Sequence, residues 1–318
     1  MELPIPEAPP PEEAAGGYML RLLSLNGANV SEVLAMHRQS RRRHLHISDV
    51  ELFSKLSGVS TDWFDHRTPR PYANDRWREI ALFGFSWRED WLLRGQRQQI
   101  CPLCLNERGI ARLEWDLVAY SACHIHKVIL QDTCRSCERA ISPDRPALDI
   151  CNCGGFVTKS DNQTVAACES LVTWTAWLSH KLLSTSNASQ PVELWHLPPQ
   201  IEGSSPDGAY RIVHAFAGGV RAFRGELLRS AAPWLSSRQV SGLLTRGLRT
   251  LAAAAATSAV EGFAAGTPDA LAEQAARGIT ATDRAIAARI LRRLRVKVRQ
   301  RHSDGRLRTQ GELFEDAQ

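Results

Sequence analysis

Cys101-Pro-Leu-Cys104, Cys123-His-Ile-His126, Cys134-Arg-Ser-Cys137 and Cys151-Asn-Cys153 are four two-donor hooks lying between residues 101 and 153. Each tight spacing lets two side chains converge on one cation, and tetrahedral zinc takes two such hooks. The sequential assignment gives Cys101, Cys104, Cys123 and His126 to one ion and Cys134, Cys137, Cys151 and Cys153 to a second. An interleaved pairing, first hook with third, stays open because hooks cross over in cross-braced folds. His124 is a second candidate in the histidine hook, but it sits beside Cys123 without the two-residue gap, which favours His126. Either way every coordination position is filled by protein, the pattern of structural rather than catalytic zinc. The block from Cys101 to Gly155 otherwise holds short apolar pieces between Gly and Pro, which suits metal-nucleated hairpins more than long helices.

Seven of the eight cysteines lie in this block. In a cytoplasmic chain such clustering points to metal thiolates before disulfides. Cytoplasm is the expected compartment, since Met1 to Pro11 carries Glu2, Glu7 and several prolines where a signal peptide needs a basic flank and an apolar run. No stretch of about 20 strongly apolar residues occurs, so no membrane partner is expected. Cys168 stands outside the spacing and reads as a small buried thiol on an apolar helix.

On the N-terminal side, Gly17 to Val30 reads as a helix on Leu20, Leu23 and Leu25 ending near Asn26-Gly27, and a second helix runs from Val30 to about Arg43. Ser48-Asp-Val-Glu51 reads as a capping box opening a helix with Val50, Phe53 and Leu56 on one side, turned at Gly58-Val59-Ser60 into another short helix. That pair, Ser48 to about His66, is a helix-turn-helix candidate preceded by Arg38, Arg41, Arg42, Arg43, His44 and His46. Five of nine tryptophans fall between Trp63 and Trp115 and suggest a packed helical region.

On the C-terminal side, Cys168 to Leu183 is helical on Leu171, Trp174, Leu178 and Leu182, and the Pro- and Ser-rich run Ser184 to Asp207 is the linker. Beyond it the chain is rich in Ala, Leu and Arg. Ser236 with Gln239 makes a capping box before a helix to Ala256, and Thr267-Pro268 opens one that stops at Gly278. After a turn at 279–282 the last helix runs from Asp283 to about Arg299 with Ile286, Ile290, Leu291, Leu294 and Val298 on one face.

The predicted fold is mainly α with small β zinc ribbons. Its parts are a flexible start (1–16), an N-terminal helical and helix-turn-helix region (17–98), a double zinc-ribbon module (99–160), a helix (161–183), a linker (184–207), a C-terminal helical domain with a helix-turn-helix-like end (208–300) and a tail (301–318). With 318 residues, 43% of them hydrophobic, there is material for about two domain cores.

Charge is concentrated at one end. The formal balance is +5, yet Arg284 to Arg308 carries ten basic residues against the single acid Asp304, leaving the rest of the chain slightly acidic. Arg284, Arg289, Arg292, Arg293, Arg295, Lys297 and Arg299, with Arg41, Arg42 and Arg43, are the candidate DNA contacts. Phosphate binding needs many cations at few exact positions, and a basic second helix after a tight turn suits a major groove.

Read together, Cys101-Pro-Leu-Cys-Leu105, Arg112-Leu-Glu-Trp115-Asp-Leu117, Cys123-His-Ile-His126, Leu130, the Cys134 and Cys137 hook, and Cys151-Asn-Cys153-Gly154 resemble the ordered hallmark of the TniQ/TnsD family of transposition proteins. Tyr18-Met-Leu-Arg21-Leu-Leu-Ser-Leu-Asn26-Gly27 looks like that family's first helix, so the resemblance covers about residues 15 to 183. Ala122, Lys127 and Arg135 depart from the usual pattern and leave the donors intact. The resemblance implies a non-enzymatic accessory of transposition that selects an insertion site and recruits a transposase and a transposition ATPase, by binding DNA directly or by bridging an RNA-guided complex. A protein adaptor, a zinc-containing helix-turn-helix regulator and a homodimer are the other expectations compatible with it. A zinc deaminase is disfavoured because His124-Ile-His126 lacks the Glu of the H-x-E arrangement.

Overall fold

The computed structural model describes residues 3–36, 46–72, 79–88, 93–95, 97–158, 164–184, 197–199, 201, 203–217, 235–256 and 267–303. The chain divides into two compact units, Met1–Trp195 with Ser230–Ser241, and His196–Arg229 with Gly242–Gln318.

The first unit begins with helix α1 (Ala15–Leu25), whose Ala15, Tyr18, Met19, Leu22 and Leu23 recur at helical spacing and are all buried. Against this stripe lie Val33 and Leu34 of α2 (Val30–Met36), Val50 and Phe53 of α3 (Val50–Ser57) and Phe64 of α4 (Thr61–Arg67). The expected continuation of α2 to Arg43 lies outside the described residues, as do Arg41, Arg42 and Arg43.

The α3 capping box sits two residues earlier than expected. His46, not Ser48, is the cap: its Nδ1 accepts the Ser48 N–H at 3.2 Å, and the Asp49 carboxylate accepts the His46 N–H at 2.9 Å. A short 3-10 turn over Ile47–Asp49 precedes α3 and shifts the box upstream. Gly58, at φ 72°, ends α3, and Ser60 caps α4 by accepting the Trp63 N–H at 3.3 Å.

The segment after α4 forms strands, where the clustered tryptophans predict helix. Strands β1 (Arg70–Pro71), β2 (Ile80–Leu82) and β3 (Phe85–Trp87) form an antiparallel meander, with Leu82 opposite Phe85 and Ile80 opposite Trp87. Phe83 and Gly84 both take positive φ, 55° and 76°, as a two-residue hairpin with matching twist requires. Trp87 is buried and donates its Nε1–H to the Leu82 carbonyl at 3.0 Å, so the indole closes the hairpin. Pro71 lies on an edge strand, where a missing N–H costs no ladder bond.

Helix α5 (Pro102–Arg108) and the hairpin of β4 (Ala122–Cys123) and β5 (Val128–Ile129) follow, and α6 (Glu169–Leu183) packs against β4. Leu171, Trp174, Leu178 and Leu182 of α6 are buried as their spacing predicts. The Trp174 indole donates to the Ala119 carbonyl at 2.9 Å, and the Ser179 hydroxyl donates to Glu114 at 2.7 Å beside the buried Arg112–Glu114 ion pair. Cys168 is exposed rather than buried, because it precedes α6 as the N-cap instead of lying on its apolar face.

Helix α8 (Ser237–Ala256) opens with the expected capping box, since the Ser236 N–H donates to Gln239 at 2.8 Å and the Gln239 N–H donates to Ser236 at 3.2 Å. Its first turn belongs to the first unit, where the Ser237 N–H donates to Asp132 at 2.7 Å and its hydroxyl to Gln99 at 2.8 Å.

The second unit contains α7 (Pro206–Phe216), α9 (Thr267–Arg277) and α10 (Ala281–Ser303). Every residue of α7 is buried, and α9 packs on it and on α10. Thr267 donates its hydroxyl to the Ala215 carbonyl at 3.0 Å, tying the start of α9 to the end of α7. Helix α10 starts two residues before the expected Asp283. Thr280 and Asp283 form a capping box, the Asp283 N–H donating to Thr280 at 3.0 Å and the Thr280 N–H to the Asp283 carboxylate at 3.3 Å. The same buried carboxylate accepts the Ser205 N–H at 2.9 Å and the Ser205 hydroxyl at 2.7 Å, while Ser205 itself caps α7. A Cβ at Gly208 would overlap that carboxylate, so glycine there is a matter of space.

His214 on α7 is buried, and desolvation, then the nearby Arg211 charge, pushes its pKa down to about 4. The ring stays neutral in the fold but takes a proton near pH 6.5 when unfolded. Its contribution is therefore complete above about pH 6.5 and is lost as pH falls toward 4, worth about 3 kcal/mol in all. Acid melts of the parent and of His214→Leu should diverge in this window, with the variant showing the shallower decline. Parallel curves would show that the imidazole is not held neutral.

Candidate metal centres

The two halves of the first cluster come from a helix and a hairpin. Cys101 is the N-cap of α5 with Pro102 in the first turn, a position where the missing N–H is harmless, and Cys104 follows one turn later. A helix start in place of a second ribbon knuckle is a departure from the hairpins expected across this block. Cys123 ends β4, and the loop to β5 holds His126 and then Lys127 at φ 55°. The His126 N–H points at the Cys123 sulfur, 3.4 Å away, which turns the loop back on its own cysteine.

Cys101, Cys104, Cys123 and His126 thus converge, and Cys134, Cys137, Cys151 and Cys153 form a second group, each group's donor atoms lying within 4.8 Å of one another. The hooks gather in sequential order. In the first group the His126 Nδ1 is 3.5 Å from Cys101 Sγ, 3.2 Å from Cys104 Sγ and 3.6 Å from Cys123 Sγ, with Cys104 and Cys123 3.5 Å apart. In the second, Cys134 to Cys153 is 3.8 Å and Cys137 to Cys151 is 3.9 Å. A tetrahedral ion with bonds of about 2.3 Å to sulfur and about 2.0 Å to nitrogen demands sulfur pairs about 3.8 Å apart and sulfur–nitrogen pairs about 3.5 Å apart. The donors fit such an ion in both places.

The second cluster is built from two facing turns. The Cys134 N–H donates to the Arg139 carbonyl at 2.8 Å with Glu138 at φ 57°, and the Cys151 N–H donates to the Gly155 carbonyl at 2.9 Å with Gly154 at φ 81°. Burial opposes ionisation of Cys134, but hydrogen bonds from the Cys137 and Ser136 backbone N–H groups outweigh it and hold the thiol down at about 7. Burial, reinforced by hydrogen bonding to Cys134, pushes the Cys151 thiol up to about 12. A dication bound there would release whatever protons the four thiols still carry. The clusters differ in shelter: three donors of the first are buried and His126 half-buried, whereas Cys153 of the second is exposed and Cys137 half-buried.

His124 is outside the first cluster, its Nδ1 engaged with the Tyr120 hydroxyl at 2.7 Å. Elsewhere in this unit, the Arg112–Glu114 pair reaches α6 through Ser179, and Asp132 ties Arg97 and the start of α8 together at 2.9 and 2.7 Å. These acids were not singled out from sequence, since nothing local to an isolated Glu or Asp marks it as a hub. Asp283 is read from sequence only as the first residue of the last helix, although a Thr280-x-x-Asp283 capping box is the local signal that marks it.

Of the basic residues, Arg289, Arg292 and Arg293 are exposed on α10, opposite buried Ile286, Ile290, Leu291 and Leu294. Arg284 is half-buried and donates to the Gly278 and Ile279 carbonyls at 2.7 and 3.2 Å, where it satisfies the end of α9. The side chains of Arg295, Lys297 and Arg299 lie outside the described residues, though α10 runs through them. Among the described residues no helix is long and apolar enough to cross a membrane.

No curated protein matches the chain. The TniQ family model matches residues 4–130, a span that holds α1 to α4, the three-stranded meander and all four donors of the first cluster, so over that segment the chain is similar to the TniQ family.

Proposed function

We propose that this chain is a non-enzymatic, zinc-stabilised accessory of DNA transposition that selects a target site, recruits a transposase and a transposition ATPase, and touches DNA through the arginine face of α10. The observation that carries the reading is the TniQ match over residues 4–130 together with two clusters in which four protein donor atoms lie within 4.8 Å of one another. Zinc is the ion that three cysteines with one histidine, or four cysteines, suit best. Bound there it cross-links distant turns. With no position left for water it generates no hydroxide nucleophile, which favours a binding role.

An electrostatic argument favours α10 over the α3–α4 pair as the DNA-contacting face. Helix α4 exposes Asp62, and its Arg67 is engaged with the Glu13 and Pro11 carbonyls and with the Trp63 ring, 4.4 Å from its centroid. Helix α10 instead exposes Arg289, Arg292 and Arg293 on a face without acids over residues 284–303.

A salt titration of duplex binding tests this. Each phosphate contact contributes about 0.9 to the slope of log K against log salt, so removing four contacts by Arg292, Arg293, Arg295 and Arg299→Ala should flatten the slope by about 3.6. Between about 50 and 200 mM salt the parent should lose roughly a hundredfold more affinity than the variant. Equal slopes would end the direct-contact reading and leave the adaptor, which bridges the transposition proteins to an RNA-guided or other targeting complex.

A further inference from the structure

We propose that Glu107 is the positioning residue of the first metal centre: its carboxylate holds the His126 ring so that Nδ1, not Nε2, faces the three thiolates. This rests on the reading that Cys101, Cys104, Cys123 and His126 hold a zinc ion. The His126 Nε2 lies 2.9 Å from Glu107 Oε1, while Nδ1 points at Cys101, Cys104 and Cys123 at 3.5, 3.2 and 3.6 Å.

The local sequence explains the arrangement. Cys104 and Glu107 are three residues apart on α5, and residues at that spacing share a helix face. One helix face therefore presents a donor sulfur and, one turn on, a carboxylate. The imidazole spans the two, with one nitrogen for the ion and the other for the acid. An imidazole has one N–H in its neutral form, and a carboxylate, which can only accept, fixes that N–H on Nε2 and leaves the Nδ1 lone pair for the metal. The ring is also prevented from swinging out of a site in which its own side chain is only 15% exposed. The same carboxylate–histidine pairing tunes ligand basicity in metal sites generally, and its loss weakens metal affinity by about 10- to 100-fold. Because the Glu107 side chain is 61% exposed, water competes for the hydrogen bond and the lower end applies. The second cluster has no histidine and gives Glu107 nothing to act on, which supplies an internal control.

Metal binding by the full chain should be measured by titrating cobalt(II) against a chelator after the four-cysteine site has been filled with zinc, following the cobalt d–d bands of the site with three sulfur donors and one nitrogen. Glu107→Ala should weaken binding at this site about tenfold, shift its d–d bands as the ring loses its orientation, and leave the affinity of the four-cysteine site unchanged. Glu107→Gln, whose amide oxygen still accepts from Nε2–H, should recover the parent spectrum and part of the affinity. The proposal is overturned if Glu107→Ala matches the parent in both affinity and spectrum, or if both sites weaken equally, which would mark a general loss of folding. A parent chain that takes up no cobalt with the spectrum of three thiolates and one imidazole would instead sink the zinc reading beneath it.

Discussion

Cys104→Ser should bind one zinc ion and the parent two, and the variant should lose the cooperative melt of the region around the first cluster. Cys104 is 1% exposed and joins α5 to the β4–β5 hairpin, on which α6 packs. A structural zinc site contributes about 10–16 kcal/mol to the folded state. A typical domain has a net stability of about 5–15 kcal/mol, so forfeiting the ion removes most or all of it. Zinc content with near-ultraviolet circular dichroism reads this directly, since Trp115 and Trp174 are buried in this unit. The contrast is Cys153→Ser, which alters an exposed donor of the second cluster and should lower that site's affinity while the tryptophan signal persists. A parent preparation with no zinc or one ion, or a Cys104→Ser protein that keeps both ions and the parent melt, would reject the two-site description.

The second large effect is expected at Asp283. Its carboxylate, 0% exposed, accepts the Ser205 N–H and hydroxyl and the Thr280 N–H, so that one side chain serves the starts of both α7 and α10. Each hydrogen bond to a charged group is worth about 1.5–3 kcal/mol, and a donor left buried adds its own desolvation cost. Asp283→Ala should therefore destabilise the second unit by about 4 kcal/mol, a drop in melting temperature on the order of 20 °C for a unit of this size. Gly208→Ala should hurt by a different route, pressing a methyl group into the same carboxylate. Hydrogen exchange of the α7 amides is the direct readout. Protection within about 1 kcal/mol of the parent in Asp283→Ala would mean that water replaces the carboxylate at little cost.

How much of this was legible in the sequence depends on the range of the interaction. The Ser236–Gln239 capping box, the buried stripes of α6 and α10 and the Gly58 turn follow from neighbours within four residues, and they lie where the pattern puts them, whereas on α1 Leu20 and Leu23 are buried as expected but Leu25, the last helical residue, is exposed. The meander at 70–87 was missed because aromatic residues serve a helix core and a hairpin equally well, and Phe83-Gly84 is a weak turn signal beside Asn-Gly. Cys168 was misplaced because its position at the cap, one residue outside the apolar repeat, decides its exposure. The α3 box slipped by two residues because histidine rarely serves as a cap and its nitrogen acceptor goes unnoticed.

By itself the sequence determined the donor set, four hooks of cysteine and histidine whose spacing admits little but a metal, and a cationic last helix with an apolar back. Both are local matters of residue type and period. Only the tertiary structure decided that the hooks pair in order, that Glu107 stands behind His126, and that Arg284 is engaged at the end of α9. Those outcomes depend on which distant segments meet when loops close, and loop-closure entropy rises so slowly with length that spacing alone distinguishes poorly between sequential and crossed pairings. The hairpin that carries Cys123 and His126 lies against α6, and its donors meet those at the start of α5.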